Sequence, residues 1–168
     1  MYDINLDKYF RFADWSCIYW GIKEGLTDPR IAIEFADKTV EQNPDSDIPE
    51  IIELLIVDYP EKEVILSLIE NMFSDKEELK TGKAIAMRRL RFILLREIQE
   101  SMTDNQIQSD EIERIYADFG YPSDMEDFIS YMPVCDDGYD TLAHSQMENE
   151  QRLINKFNIF MKDELSKL

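Results

Sequence analysis

The sequence predicts an all-α protein: a single-domain, multi-helix array of antiparallel helix pairs, with about eight helices in one domain covering 1–168. Three observations carry this. Apolar residues recur at i, i+3, i+4 and i+7 in segment after segment. Only 5 glycines and 6 prolines occur in 168 residues, and several stand where helices should start or stop. Hydrophobic residues make up 44% and aromatics 11%, enough for a core in a chain of one-domain length. No repeat of fixed period and no low-complexity linker divides the chain.

Taken in order, residues 6–12 predict a short helix or turn. Asp14 is placed to cap a helix over 15–24, whose apolar face is Trp15, Ile18, Tyr19 and Ile22 and whose natural stop is Gly25. Gly21 lies inside it at a cost of about 1 kcal/mol against alanine, which implies a close neighbour there. Asp28-Pro29 reads as an N-cap and first position of the next helix, with Ile31, Ala32, Phe35, Ala36 and Val40 in one stripe and Asn43-Pro44 ending it. Asp47 before Ile48-Pro49 starts another, running to about residue 58 with Ile51, Ile52, Leu55 and Ile56 inside. Pro60 opens a helix with a face of Val64, Ile65, Leu68, Ile69 and Met72. A long helix over about 81–101 buries Ile85, Leu90, Ile93, Leu94 and Ile98. Residues 110–119 form another, closed by Gly120. Ser123 caps a short helix to about 131, ended by Pro133; 134–142 is a loop, and a last helix covers about 142–165.

Charge is the strongest compositional signal. Eighteen basic against 36 acidic residues give −18 at pH 7 and a pI near 4.3. Such a surface repels nucleic acid and anionic lipid and attracts cationic partners. It also exceeds the magnitude of about 2–8 that solubility asks of a small domain. The excess is uneven. From Asp104 to Glu148 there are twelve acids and one base, Arg114, whereas from Asp75 to Glu100 seven bases slightly outnumber five acids. Two outcomes are open: the basic helix neutralises the acidic segment, or that segment stands free as a recognition surface. Tyrosines and phenylalanines lie among the acids, the composition of protein-binding hot spots. Tyr116, Phe119 and Phe128 are the aromatics expected in the core. The candidate partner-binding residues are Asp118, Tyr121, Asp124, Glu126, Asp127, Tyr131, Asp136, Asp137, Tyr139 and Asp140.

Catalytic chemistry finds little support. The single histidine, His144, stands among polar residues at the opening of the last helix and reads as a surface group. No P-loop, GxGxxG or HExxH pattern occurs. Asp136-Asp137-Gly138-Tyr139-Asp140 is the one metal-like stretch, but it does not match the calcium-loop pattern and reads as a plain acidic loop. Cys17 and Cys135 lack metal or redox spacing and read as reduced thiols. We therefore expect no catalytic residue, cofactor or metal. The start, MYDINLDKYFRF, does not read as a secretory signal, and no run approaches the ~18 apolar residues of a membrane span. The expected compartment is the cytoplasm.

Two stretches carry a resemblance. They are Asp14-Trp-Ser-Cys-Ile-Tyr-Trp-Gly-Ile-Lys-Glu-Gly25 with Ala32-Ile-Glu-Phe-Ala36, and Ile115-Tyr-Ala-Asp-Phe-Gly-Tyr-Pro-Ser-Asp-Met125 with Phe128-Ile-Ser-Tyr-Met-Pro133. Together they resemble a family of uncharacterised bacterial proteins whose members are similar to immunity proteins of polymorphic and contact-dependent growth-inhibition toxins. The resemblance spans about 14–133 and carries over no enzymatic residue. It implies a non-enzymatic toxin inhibitor, and the acidic charge points to a cognate basic toxin domain, such as a nuclease, as its partner, with no nucleic-acid or membrane partner. The alternative is a helical adaptor or regulatory protein without a toxin partner; a third possibility is a hydrolase built on carboxylates and a metal.

Overall fold

A computed structural model describes residues 1–44, 47–134 and 138–168. Among them the protein is all-α, as predicted. It has nine α-helices: α1 (Leu6–Tyr9), α2 (Trp15–Lys23), α3 (Ile31–Gln42), α4 (Pro49–Leu55), α5 (Lys62–Asn71), α6 (Lys76–Thr81), α7 (Lys83–Ser101), α8 (Asn105–Asp118) and α9 (Gln146–Lys167). Three 3-10 turns cover Phe10–Phe12, Ser123–Phe128 and Thr141–Ala143. The described residues contain no strand, only an isolated parallel bridge between Tyr2 and Thr27. No helix among them is long and apolar enough to cross a membrane. The chain divides into two compact units, Met1–Ile93 and Leu94–Leu168, and the division falls inside α7.

In the first unit α2 is the central element. The Asp14 carboxylate accepts from the Cys17 N–H at 2.8 Å and also pairs with Arg89. That bond satisfies a backbone donor that helix geometry leaves without a partner. Cys17, Ile18, Tyr19, Trp20, Gly21 and Ile22 are all buried, so the helix is enclosed on nearly every side. Trp20 still finds a partner for its ring N–H, the Leu79 carbonyl at 2.9 Å. The helix ends at Gly25 with φ +73, where the Leu26 N–H reaches the Gly21 carbonyl at 2.8 Å and the Gly25 N–H reaches Ile22 at 3.1 Å. This paired closure needs a left-handed residue, which glycine supplies without strain. A Cβ at Gly21 would lie 2.9 Å from Thr27 Oγ1 and 3.2 Å from Leu90 Cδ2, the close neighbour its position implied. Helices α2, α3, α4 and α5 pack consecutively, α2 on α3, α3 on α4 and α4 on α5, while α5 also packs on α2.

Several sequence expectations are corrected here. Asp28 does not cap α3, which begins at Ile31 behind Arg30; Asp28 instead accepts from the Arg30 N–H, closing a turn before the helix. Asp47 does not cap α4, whose cap position is Ile48 with Pro49 first in the helix. That helix ends at Leu55 and buries Ile51 and Leu54, while Ile52, Leu55 and Ile56 are exposed. A helix of seven residues has room for one inward i, i+3 pair, so the remaining apolar positions point away. Val64 and Ile85 are also exposed rather than internal. Leu79, on the unforeseen α6, is buried in their stead.

In the second unit, α8 starts at Asn105, five residues before the expected place. Asp104 caps it, accepting from the Gln106 and Ile107 N–H groups at 3.0 Å each. Helix α9 starts at Gln146 with a capping box: Ser145 Oγ accepts from the Glu148 N–H, and the Glu148 carboxylate accepts from the Ser145 N–H at 2.8 Å. It packs on α8 and on the 123–128 turn.

A tyrosine and carboxylate surface in the second unit

The candidate residues sit where α8 ends. The helix closes at Gly120, φ +75, with the Gly120 N–H on the Ala117 carbonyl at 3.0 Å and the Tyr121 N–H on the Tyr116 carbonyl at 2.9 Å. This is the same paired closure as at Gly25. It places Tyr121 over Tyr116, ring centroids 5.3 Å apart and nearly perpendicular at 82°. Tyr121 itself has φ +60, the one described non-glycine residue with a positive φ. A side chain in that region is strained and is held by its surroundings. Pro122 then fixes an extended exit.

The next segment, Ser123–Phe128, is a 3-10 turn, not the longer Ser123-capped helix that the sequence suggests; Pro122 occupies the cap position. With three residues per turn, Met125 and Phe128 fall on one side and are buried. Phe128 packs on Phe157 and Phe160 of α9, at 5.6 and 5.0 Å between centroids. Asp124, Glu126 and Asp127 are thereby turned to solvent. Glu126 and Asp127 form no ion pair with another described residue. The Glu113 carboxylate accepts from the Ser130 N–H at 3.1 Å, which brings Tyr131 back toward α8, 6.3 Å from the Tyr116 ring.

The result is a buried tyrosine, Tyr116, flanked by exposed Tyr121 and Tyr131, 61% and 59% accessible, with carboxylates around them. Burial raises the Tyr116 hydroxyl above its ordinary pKa, and the negative charge of Glu126 adds to the shift. Tyr131 is raised first by desolvation and then by Glu113. Both phenols therefore stay protonated at neutral pH and remain hydrogen-bond donors.

Of the ten sequence-selected residues, Asp118, Tyr121, Asp124, Glu126, Asp127 and Tyr131 lie on this turn and its approaches, and all six are exposed. Tyr139 is engaged elsewhere. It stacks on His144 at 4.6 Å and 3°, carries the Arg152 guanidinium 4.5 Å over its ring, and donates to Asn149 Oδ1 at 2.8 Å. Asp140 caps the 141–143 turn by accepting from the Leu142 N–H at 2.9 Å. Asp136 and Asp137 lie outside the described residues, as does Cys135. Sequence reasoning passed over Glu113; its place three residues before Tyr116, on one helix face, was the available signal. A cavity of about 480 Å³, lined by Ser109, Val134, Thr141, Asn149, Arg152 and Leu153 among others, was not foreseen either.

Within the acidic segment Arg114 pairs with Glu111 at 2.5 Å. Lys76, Lys80, Lys83, Arg89 and Arg96 pair with Glu70, Glu77, Glu24, Asp14 and Glu100, all outside the 104–148 segment. Among the described residues no group of three His, Cys, Asp or Glu side chains is arranged to hold a metal ion.

Neither a curated protein nor a solved structure matches the chain. Residues 6–165 match a family described as "Uncharacterized protein conserved in bacteria (DUF2247)", a description that makes no reference to toxins. The match takes in α2, α8 and the tyrosine-bearing turn together, and the chain belongs to that bacterial family.

Proposed function

We propose that the chain works by binding a cationic protein through the turn that follows α8, and that the partner is the basic toxic domain of a bacterial toxin. The carrying observation is the placement of exposed Tyr121 and Tyr131 beside a buried third tyrosine, with Asp124, Glu126 and Asp127 turned outward next to them. Tyrosines supply rigid contact area with a polar tip, and flanking carboxylates supply attraction at a distance. A nuclease is the fitting toxin class, because its phosphate-binding cleft must be positive. The acids would then occupy or flank that cleft. No catalytic role is assigned to any residue.

The reading requires a toxin gene immediately upstream of the gene for this chain, and it is tested with that toxin. Co-expression should rescue cells from its C-terminal domain. Tyr121→Ala and Tyr131→Ala should each weaken binding by about 2 kcal/mol, close to thirtyfold in Kd. Full rescue and unchanged affinity with both tyrosines removed would exclude this surface. Absence of rescue by the wild type would favour the adaptor alternative.

A further inference from the structure

The first unit carries a different exposed feature. On α4, Ile51 and Leu54 are buried, while the adjoining flank presents Ile52 and Leu55, continued by Ile48 and Ile56 at the two cap positions. These four fall at i, i+4, i+7 and i+8, one stripe of helical surface. Ile52 is 53% exposed and Ile56 73%, and Tyr59 follows in the connection to α5 at 83%. Single exposed apolar residues need no explanation, but an apolar stripe along one helix does. Its border is acidic. Asp47, Glu50, Glu53, Asp58, Glu61 and Glu63 stand between 47 and 64 against Lys62 alone. None of the six forms a side-chain ion pair with another described residue, and Lys62 is turned to the Lys23 carbonyl at 3.0 Å.

We infer that this stripe is a docking site for a basic amphipathic helix of a partner protein. An apolar face would cover Ile48, Ile52 and Ile56, and lysines or arginines at its margins would meet the acidic border. The border decides between occupants. A second copy of this chain would bring the same acids face to face, on molecules already at −18. An anionic lipid surface is repelled for the same reason. A cationic helix satisfies both the stripe and its border. The stripe belongs to the first unit, and the inference does not depend on the function proposed for the turn after α8.

The test uses the full chain and a fluorescent synthetic peptide of about 18 residues, five helical turns. The peptide carries leucines at i, i+3, i+4 and i+7 with lysines elsewhere, and a scrambled isomer of identical composition is the control. Anisotropy at about 150 mM salt should show the patterned peptide binding at least about tenfold tighter than its isomer, since surface charge alone is largely screened there. The paired change Ile52→Ser with Ile56→Ser, both at exposed positions, should abolish that preference while circular dichroism stays unchanged. Asp124→Lys with Asp127→Lys should leave it intact. Equal binding of the two peptides, no binding, or indifference to the isoleucine changes would overturn the inference. So would a wild-type dimer in sedimentation that the serine pair dissociates, or adsorption to neutral phosphatidylcholine vesicles that the pair removes.

Discussion

Replacing Tyr121 separates what holds the turn after α8 from what that turn presents. Tyr121→Ala removes a perpendicular ring contact at 5.3 Å, worth about 0.5–1.5 kcal/mol beyond area burial, and uncovers part of Tyr116. It keeps a Cβ at φ +60. Tyr121→Gly loses the same ring but also removes the left-handed penalty, about 1–2 kcal/mol for a side-chain-bearing residue. Against that, glycine carries about 0.4–1 kcal/mol of extra unfolded-state entropy. The balance leaves Tyr121→Ala destabilised by about 1–2 kcal/mol and Tyr121→Gly more stable than it by about 0.5–1 kcal/mol. In a chain of this size that separates the melting temperatures by about 1–4 °C, glycine higher. At Asp118, inside the last turn of α8, the order should reverse, alanine above glycine. Both Tyr121 variants lose the exposed phenol, so partner affinity should fall alike in the two. Thermal melts of the four variants decide the matter. An alanine variant at 121 as stable as the glycine variant would refute the claim that this residue is held under backbone strain.

Three further outcomes follow from the first unit. Gly21→Ala gains about 1 kcal/mol of helix propensity but forces a Cβ to 2.9 Å from Thr27 Oγ1, so it should destabilise by about 1–2 kcal/mol in urea, and Thr27→Ala should recover much of that loss. Glu70 has its pKa lowered first by the Tyr19 hydroxyl, which donates to it at 2.5 Å, and then by Lys76. A depressed carboxylate stabilises the fold above its unfolded value, about 4.3, and loses that contribution as the pH falls through the folded one. Acid titration of stability should therefore be shallower in Glu70→Gln below about pH 5, and identical acid limbs would contradict the assignment. The Cys17 thiol is pushed far up by burial and then by Asp14. In a Cys135→Ser background it should resist a disulfide reagent at pH 8 until the protein is unfolded.

How much of this was legible in sequence depends on whether a signal was local. Asp14, Gly25 and Gly120 announce helix ends because capping and left-handed closure need particular residues at particular offsets, and all three act as expected. The start of α8 was missed because its first turns are polar. Gln108 and Ser109 are buried while Ile107 is exposed, so apolar periodicity points the wrong way there. The inward face of α4 was misplaced because four isoleucines and two leucines in nine positions give no contrast; what α4 packs on decides which of them turn inward. At the candidate site, composition identified the acids and tyrosines. It could not show that Tyr121 and Tyr131 share Tyr116 as a neighbour while Tyr139 is committed to His144 and Arg152. Those are contacts between residues 5 to 15 positions apart across turns, and turn geometry sets them.

The most direct measurement is the association rate with the proposed partner, a basic toxin domain, followed by stopped flow across ionic strength, for wild type and for Asp124→Lys, Glu126→Lys, Asp127→Lys combined. Steering by an acidic surface predicts a wild-type rate that falls steeply between about 10 and 150 mM salt, as the Debye length shrinks from about 30 to 8 Å. The triple variant should associate at least about tenfold more slowly at low salt and show a flat or inverted salt dependence. Wild-type and variant curves that superimpose would show that the carboxylates after α8 do not guide the partner.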